Sequence, residues 1–228
     1  MYGVRVSSSK RPRLQRHDVV EAAVALADEV GIEALSMRNL AQRLDVVPMA
    51  LYKHVANKDE LLDAMVDHVV GEIEPAGPDE NWRHGIRSRI LSSRAALLRH
   101  PWAPGLIETR TQASPVVLDH MEAIAASFRA GGFSVDLTHR AMHAIGSRMW
   151  GFTQEVFPTQ QPAQDETARE QQFGEWMKRY PRIVEMATEI GGGGGCDAHE
   201  EFEFALDLIL DGLERIHRES ARADGWGG

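Results

Sequence analysis

The side chains with the clearest chemical potential lie on a short predicted helix from Pro48 to Val55. Pro48 suits the first turn of a helix, where its missing N–H is not needed. Leu51 and Val55 fall on one face, which indicates burial. The outward face presents Met49, Ala50, Lys53 and His54. A short helix with a buried stripe and an outward polar, aromatic face is typical of an element that enters a DNA major groove.

A helix and a tight turn are predicted immediately before this face. Ser36 is a suitable N-cap, because its hydroxyl can accept from an otherwise unpaired backbone N–H. Leu40, Ala41 and Leu44 repeat at helical spacing, which places them in a core, and the helix ends near Asp45. Helix, tight turn and short helix together predict a helix-turn-helix.

Two flanking helices complete a predicted headpiece, defined here as residues 17–74. The first opens at Asp18–Glu21, a variant of the capping box, and ends at Gly31, which tolerates positive φ. Its predicted buried residues are Val20, Val24, Ala27 and Val30. The last helix opens at a second capping signature, Asn57–Glu60. Its apolar positions are Leu61, Leu62, Met65, Val66, Val69 and Ile73. The pattern predicts a three-helix DNA-binding headpiece and a fourth helix that leads away from it.

These segments resemble the tetracycline-repressor (TetR) family of transcriptional regulators. The resemblance rests on the runs VGIEALSMRNLA (30–41), LYKHV (51–55) and NKDELLD (57–63). It covers about 55 residues at fixed spacing and is therefore far more specific than a lone motif. Asp45 departs from the family, which usually has glycine in this turn. Because Asp tolerates left-handed φ better than most residues, we expect the turn to be retained.

The resemblance also implies which side chains bind DNA. Tyr52 and Lys53 match phosphate-contacting positions of the family, and Lys58 and the start of the Ser36–Arg38 helix are expected to contact phosphates too. Arg38, Met49 and Ala50 are expected at base edges, since Met and Ala suit a thymine methyl group. The full predicted set is Ser36, Met37, Arg38, Pro48, Met49, Ala50, Tyr52, Lys53, His54 and Lys58.

Charge is distributed unevenly along the 228 residues. Residues 1–58 hold nine Lys and Arg against six Asp and Glu, a net of +3, whereas the whole chain carries −9. A basic headpiece on an acidic body suits nucleic-acid binding at one end. Residues 1–16 are polar and basic. They are either an arm that touches phosphates or a minor groove, or a disordered tail, and the sequence leaves both open.

Cysteine content and hydropathy indicate the cellular compartment in which the protein is expected. The single cysteine, Cys196, excludes an intramolecular disulfide and a Cys-rich zinc site. No apolar run approaches the roughly 18 residues of a membrane span. The N-terminus lacks the apolar middle of a signal peptide. We therefore expect a cytoplasmic protein without membrane contact.

Residues 75–228 are predicted to form a helical body after a linker at Pro75–Asp79. No strand pattern appears. The predicted helices span about Asn81–Arg99, Leu106–Thr111, Pro115–Ala130, Val135–Val156, Glu166–Arg179, Pro181–Ile190 and His199–Glu219. The expected fold class is all-α, with an N-terminal three-helix helix-turn-helix domain joined to a C-terminal ligand-binding and dimerisation domain.

The body resembles the corresponding part of the same family more loosely, through Trp82, Leu97–Trp102 and Gly132-Phe133. The resemblance implies a homodimer in which the helices Val135–Val156 and His199–Glu219 of two subunits form a four-helix bundle. Both helices have more apolar surface than one subunit needs, which independently indicates an interface. A small-molecule effector would bind among body residues. The candidates are Arg89, Ser93, Trp102, Ile107, Arg110, Ile124, Phe128, His139, His143, Met149, Trp150 and Phe152.

Other motifs that could carry chemistry are incomplete. His139 and His143 have metal-ligand spacing on a helix, but the Glu of the zinc-protease motif is absent, so a pocket-lining or surface pair is favoured. Gly191–Gly195 lacks the Lys-Ser/Thr of a phosphate loop. There is no Gly-x-Ser-x-Gly nucleophile elbow. We therefore expect no catalytic residue, no metal and no cofactor.

The tetracycline site itself is not retained. In the tetracycline repressor an Asn, a Phe and a His bind drug and metal, and the matching positions here hold Arg89, Ser93 and Leu106. We therefore expect a largely apolar, aromatic effector that needs no divalent metal. Arg110 is the expected anchor if that effector carries an acid or a phenolate, because a guanidinium pairs well with such oxygens.

The leading hypothesis is a dimeric, ligand-responsive regulator, a repressor that a small organic effector releases from a palindromic double-stranded DNA operator. It is not expected to be an enzyme. The alternative is a helical enzyme or a small-molecule or metal carrier that kept the headpiece as a vestige.

Overall fold

The computed structural model describes residues 13–77, 81–151, 166–189 and 197–224. Within these ranges the chain forms helices and no β-strand, which confirms the all-α prediction. The helices are α1 (Arg16–Val30), α2 (Met37–Arg43), α3 (Pro48–Leu51), α4 (Lys58–Gly71), α5 (Trp82–Arg99), α6 (Ala103–Thr109), α7 (Pro115–Ala130), α8 (Val135–Gly151), α9 (Glu166–Arg179), α10 (Pro181–Glu189) and α11 (Ala198–Asp224). The predicted arm up to residue 12, the Gly191–Gly195 run and Cys196 lie outside the described residues.

The chain divides into two compact units between Ser127 and Phe128, within α7. The first unit holds α1–α6 and most of α7, and the second holds the end of α7 and α8–α11. In the described ranges no helix combines the length and the low charge needed to cross a membrane.

The core of the headpiece is formed where α1 packs on α2 and α4, and α2 on α3. Its centre contains Val19, Leu40, Leu51, Val55 and Met65, all at most 1 % exposed. Each such side chain contributes roughly 1.5–3 kcal/mol of burial free energy. Leu51 and Val55 are buried, as predicted, and they hold α3 and the turn after it against the core of the headpiece. The orientation of the outward side chains is therefore fixed.

Two of the three predicted helix caps are confirmed. The Ser36 hydroxyl accepts from the Asn39 N–H at 3.1 Å, and the Asn57 side chain accepts from the Glu60 N–H at 2.8 Å. The predicted start of α1 was wrong. Gln15 is the N-cap, and its backbone N–H donates to the Asp18 carboxylate at 2.8 Å. Asp18 therefore caps the first turn from the third helical position, three residues after the N-cap.

One residue that was predicted to be buried, Val30, lies on the surface, where it is 53 % exposed. The apolar residues Leu98 on α5, Met121 on α7 and Ile216 on α11 are likewise between 41 % and 52 % exposed. Val30 ends the last turn of α1, where Gly31 at φ 84° turns the chain away. Helical spacing indicates which face of a helix is buried, but it does not indicate how far around the helix the buried face extends. The α6 helix also begins three residues earlier than predicted, because Pro104 fits its first turn.

The turn between α2 and α3 is retained without the usual glycine. Asp45 adopts φ 53°, and among the described residues it is the only non-glycine residue with positive φ. Leu44 and Asp45 donate their backbone N–H groups to the carbonyls of Leu40 and Gln42, and the Val46 N–H reaches Ala41. The left-handed position confirms the expectation from the sequence and identifies a site of local strain.

This strain predicts a stability difference among substitutions at Asp45. Asp45→Gly should raise the free energy of unfolding by up to about 1 kcal/mol, since glycine adopts positive φ without a Cβ penalty. Asp45→Val should lower it by about 1–2 kcal/mol. Urea denaturation followed by circular dichroism measures both, with Asp45→Asn as a near-neutral control. Equal destabilisation by glycine and valine would contradict the strain argument.

In the second unit α8 packs on α11. The core between these two helices contains Leu137, Ala141, Ile145, Leu206 and Leu210. Phe202, near the start of α11, is also buried. Phe133 stacks on the imidazole of His217, with ring centroids 4.3 Å apart and planes at 12°. These contacts fix α11 along the length of α8.

Candidate DNA-binding face and effector-binding residues

The outward surface of the helix-turn-helix combines apolar and aromatic side chains with basic ones. Met49 is 71 % exposed and Tyr52 is 43 % exposed, with Pro48 and Lys53 also exposed and Ala50 and His54 half-buried. The α-helical part ends at Leu51, and Lys53 and His54 continue in tighter turns, with the His54 N–H 2.8 Å from the Leu51 carbonyl. The predicted Pro48–Val55 helix is therefore shorter but keeps the same two faces.

The cations of the headpiece divide into two groups. Arg43 binds Glu29 through two hydrogen bonds of 2.6 Å, and these lower the pKa of Glu29 below its ordinary value. Lys58 donates to the Leu35 carbonyl at 2.7 Å. Arg38 and Lys53 are exposed and form no ion pair with any described residue. Arg43 and Lys58 therefore stabilise the headpiece, whereas Arg38 and Lys53 remain available for phosphates or base edges.

The predicted DNA-binding residues at the start of α2 lie on the same headpiece. The Ser36 hydroxyl caps the helix, Met37 is half-buried, and Arg38 projects from the first turn into solvent. The first turn also carries no acidic side chain. The positive end of the α2 dipole is thus not compensated locally by a carboxylate, which favours an approaching phosphate.

The predicted effector residues on α5 and α7 occupy several environments. Arg89 is half-buried, and Ser93 is buried with its hydroxyl donating to the Arg89 carbonyl at 2.8 Å. Ile124 and Phe128 are buried, and the Phe128 ring packs on Phe133 with centroids 5.1 Å apart. Trp102 is also buried.

Arg110 already has a partner. Its Nη1 lies 3.2 Å from the Asp63 carboxylate, and Ser114 donates to Asp67 nearby. These groups, with Ile107, line an open cavity of about 410 Å³ beside α4. The predicted anchor is thus neutralised within the protein.

His139 and His143 are both exposed on α8. Their Nε2 atoms lie 3.2 Å apart, and their rings meet edge to face. No group of three or more metal-ligating side chains occurs in the described part of the chain. Met149, Trp150 and Phe152, the remaining predicted effector residues, lie outside the residues whose side chains are described.

A buried polar network in the first unit was not predicted. The imidazole of His100, 7 % exposed, places Nδ1 2.9 Å from an Asp28 oxygen and Nε2 3.2 Å from a Glu72 oxygen. The indole N–H of Trp102 donates to the same Asp28 carboxylate at 2.6 Å. Asp28 belongs to α1, Glu72 follows α4, and His100 follows α5, so the network, here called the His100 network, joins three helices.

The charge on Glu72 is retained in this network. Partial burial raises the pKa of Glu72, but hydrogen bonds from Arg99 and His100 more than reverse the effect, so the pKa lies below its ordinary value. Asp28, Glu72 and His100 are widely separated in the sequence, so no local motif could have identified them as partners.

Two family models match the chain. The model described as bacterial regulatory proteins of the tetR family matches residues 19–65. The model described as the tetracyclin repressor-like C-terminal domain matches residues 74–216, which is more than half of the chain.

Curated relatives are also regulators. An HTH-type transcriptional regulator of Saccharopolyspora erythraea is 41 % identical over 127 residues, which span 55 % of this chain and only 54 % of that protein. The HTH-type transcriptional repressor DrrR1 of Streptomyces coeruleorubidus is 32 % identical over 223 residues, covering 93 % of this chain and 82 % of that protein.

Solved structures share the fold over nearly the whole chain. ActR of Streptomyces coelicolor in complex with actinorhodin has a TM-score of 0.69 and 27 % identity, and the match covers 90 % of this chain and 98 % of that one. BioQ of Mycobacterium smegmatis, solved with its double-stranded DNA operator, has a TM-score of 0.60 and 30 % identity, covering 88 % and 98 %. With two family models and a relative matched over most of both chains in agreement, this chain belongs to the TetR family of bacterial regulatory proteins.

Proposed function

We propose that this chain is a ligand-responsive DNA-binding transcriptional regulator, a repressor that leaves its operator when a small organic molecule binds. The observation that carries the proposal is the helix-turn-helix surface. Met49, Tyr52 and Lys53 are held outward by the buried Leu51 and Val55, while Arg38 and Lys53 have no carboxylate partner among the described residues. A surface of this kind is matched to phosphates and base edges.

The division of labour follows the predicted boundaries. Residues 17–74 bind the operator, residues 75–228 bind the effector and form the dimer, and residues 1–16 act as a basic arm or tail. The family models, which match 19–65 and 74–216, support this assignment. The protein works in the cytoplasm, where its DNA and its effector meet, and it has no catalytic role.

The dimer is proposed to form through α11. One face of this helix is used inside the subunit, but Phe204 is 63 % exposed and Leu208 is 56 % exposed on the opposite face. Gly212 and the exposed Ile216 continue this second stripe at intervals of four residues. An exposed apolar stripe along a long helix favours association with a second copy. The described outward face of α8, with Asp136, His139, Arg140 and His143, is more polar than expected.

A palindromic operator follows from this symmetry. Two headpieces related by a two-fold axis read two inverted half-sites, separated by about one helical turn, ~34–36 Å, or a multiple of it. BioQ, which shares the fold, was solved on a double-stranded operator.

Effector binding must alter the headpieces through the first unit. The His100 network ties α1 and the end of α4 to the turn after α5. Any effector that shifts α5 or α6 therefore acts on carboxylates that belong to the headpiece and its fourth helix. This gives a physical route for the reciprocal coupling of effector and operator.

Removing the imidazole should weaken both stability and coupling. His100→Leu leaves two partly buried carboxylates without their shared donor, so we expect a loss of about 2–4 kcal/mol in the free energy of unfolding. We also expect operator affinity to change less than effector sensitivity. Thermal denaturation and effector titration of the operator complex measure the two effects. His17→Asn, at an exposed histidine of α1, is the matched control. An unchanged effector response in the folded variant would remove the network from the coupling route.

The function is tested by DNA selection with the purified protein. Fragments enriched from random DNA should share an inverted repeat, and binding to it should weaken linearly with the logarithm of salt concentration. Release of that DNA by a small molecule completes the test. The alternative of a helical enzyme or carrier is not favoured by the family assignment. It would require turnover or a bound metal in a protein that shows no sequence-specific DNA binding.

A further inference from the structure

A partly buried pair, a guanidinium and an imidazole, lies between α5 and α7. Arg89 Nη1 is 3.4 Å from His120 Nδ1, and both side chains are partly buried. Neither residue forms an ion pair with any carboxylate in the described part of the chain. Arg89 is therefore a partly desolvated positive charge, and burial lowers its pKa below the ordinary value. Sequence reasoning identified Arg89 but not His120.

The protonation of His120 follows from this neighbour. Burial and then the charge of Arg89 lower the pKa of His120 to about 4, so the ring is neutral near pH 7. A guanidinium only donates hydrogen bonds, so the Nδ1 that faces it must be the acceptor. The single ring proton of neutral His120 then resides on Nε2.

The Nε2–H group is buried and has no acceptor among the described residues. Buried donors almost always have a partner, because an unmade hydrogen bond is costly. Within the described residues, this N–H group without an acceptor lies beside a guanidinium without a carboxylate partner. Together they offer several donors, which is the arrangement that recognises an oxygen anion.

We propose that Arg89 and His120 together bind an anionic oxygen of the effector, a carboxylate or an ionised phenol or enol on a largely apolar frame. This inference rests on the proposed function and names the chemistry of its ligand. We prefer this pair to Arg110, because the charge of Arg110 is paired with Asp63, although its buried Nε also has no hydrogen-bond partner among the described residues.

The first test needs no ligand. If the Arg89 charge is uncompensated in the free protein, Arg89→Met should keep or raise the melting temperature, because a chain of similar length replaces a desolvated cation. A residue that served only the fold would lower it on replacement. Arg110→Met, which breaks the Asp63 pair, is the matched control and should lower the melting temperature.

The second test uses defined probes on the full-length protein. Benzoate, 2-naphthoate and anthracene-2-carboxylate are titrated by tryptophan fluorescence, each against its neutral carboxamide. We expect at least one acid to bind about tenfold or more tightly than its amide, and Arg89→Met and His120→Phe each to remove that preference while Arg110→Met retains it.

Salt-dependent DNA binding by the same variants separates the two ideas. Intact DNA binding with no preference for any acid, or a preference that survives both Arg89→Met and His120→Phe, would overturn this inference and leave the regulator proposal standing. If the wild-type protein did not bind DNA at all, the proposed function would be overturned instead.

Discussion

Lys53→Glu should weaken operator binding about a hundredfold or more and reduce the salt dependence of binding. The Lys53 side chain is exposed beside Tyr52 on the outward surface of the helix-turn-helix and has no internal ion-pair partner among the described residues. Losing one phosphate contact lowers the slope of log affinity against log salt by about one, and a negative charge adds repulsion from the DNA. Fluorescence anisotropy at several salt concentrations measures both quantities.

Substitutions at two other lysines serve as controls for Lys53→Glu. Lys178→Glu, at an exposed lysine near the end of α9, changes the net charge equally and should leave the slope unchanged. Lys58→Ala should lower the free energy of unfolding by about 1 kcal/mol, because its ammonium group donates to the Leu35 carbonyl. If Lys53→Glu and Lys178→Glu had the same small effect, the proposed docking surface would be wrong.

Leu208→Glu should convert the protein into a folded monomer and lower the affinity for the palindromic operator by at least about a hundredfold. Leu208 is exposed in the single subunit, so the substitution places no charge in the subunit's own core. In the proposed dimer it would bury an unpaired carboxylate in an apolar contact, which is costly. Sedimentation at micromolar concentration and circular dichroism report assembly and fold separately.

A charged residue at Leu206 or Leu210 would have a different effect from Leu208→Glu. Both lie on the helix that the sequence assigns to the dimer, but each is 0 % exposed within one subunit. Leu206→Glu should therefore unfold the second unit rather than produce a monomer. A Leu208→Glu protein that remained a dimer, or a wild-type protein that sedimented as a monomer, would refute the α11 interface and the palindromic operator with it.

The sequence by itself determined the features that depend on neighbours within one or two helical turns. Ser36 and Asn57 could be assigned as caps because a cap bonds to a backbone N–H three residues away. Leu51 and Val55 could be placed inside because helical spacing sets them on one face. Fixed spacing over residues 30–63 was also sufficient to identify the family. Asp45 could be placed in the turn because its tolerance of positive φ is a property of the residue itself.

Only the tertiary structure decided which charges are satisfied and which are left over. Arg110 and Arg89 are chemically identical in sequence, yet Asp63 from another helix neutralises one and an imidazole faces the other. His100 meets Asp28 and Glu72 only after three helices pack together. On α11 the apolar residues form two stripes, and packing against α8 selects which one the subunit buries. Pairing energies and burial depend on distances across elements, and local spacing does not encode those distances.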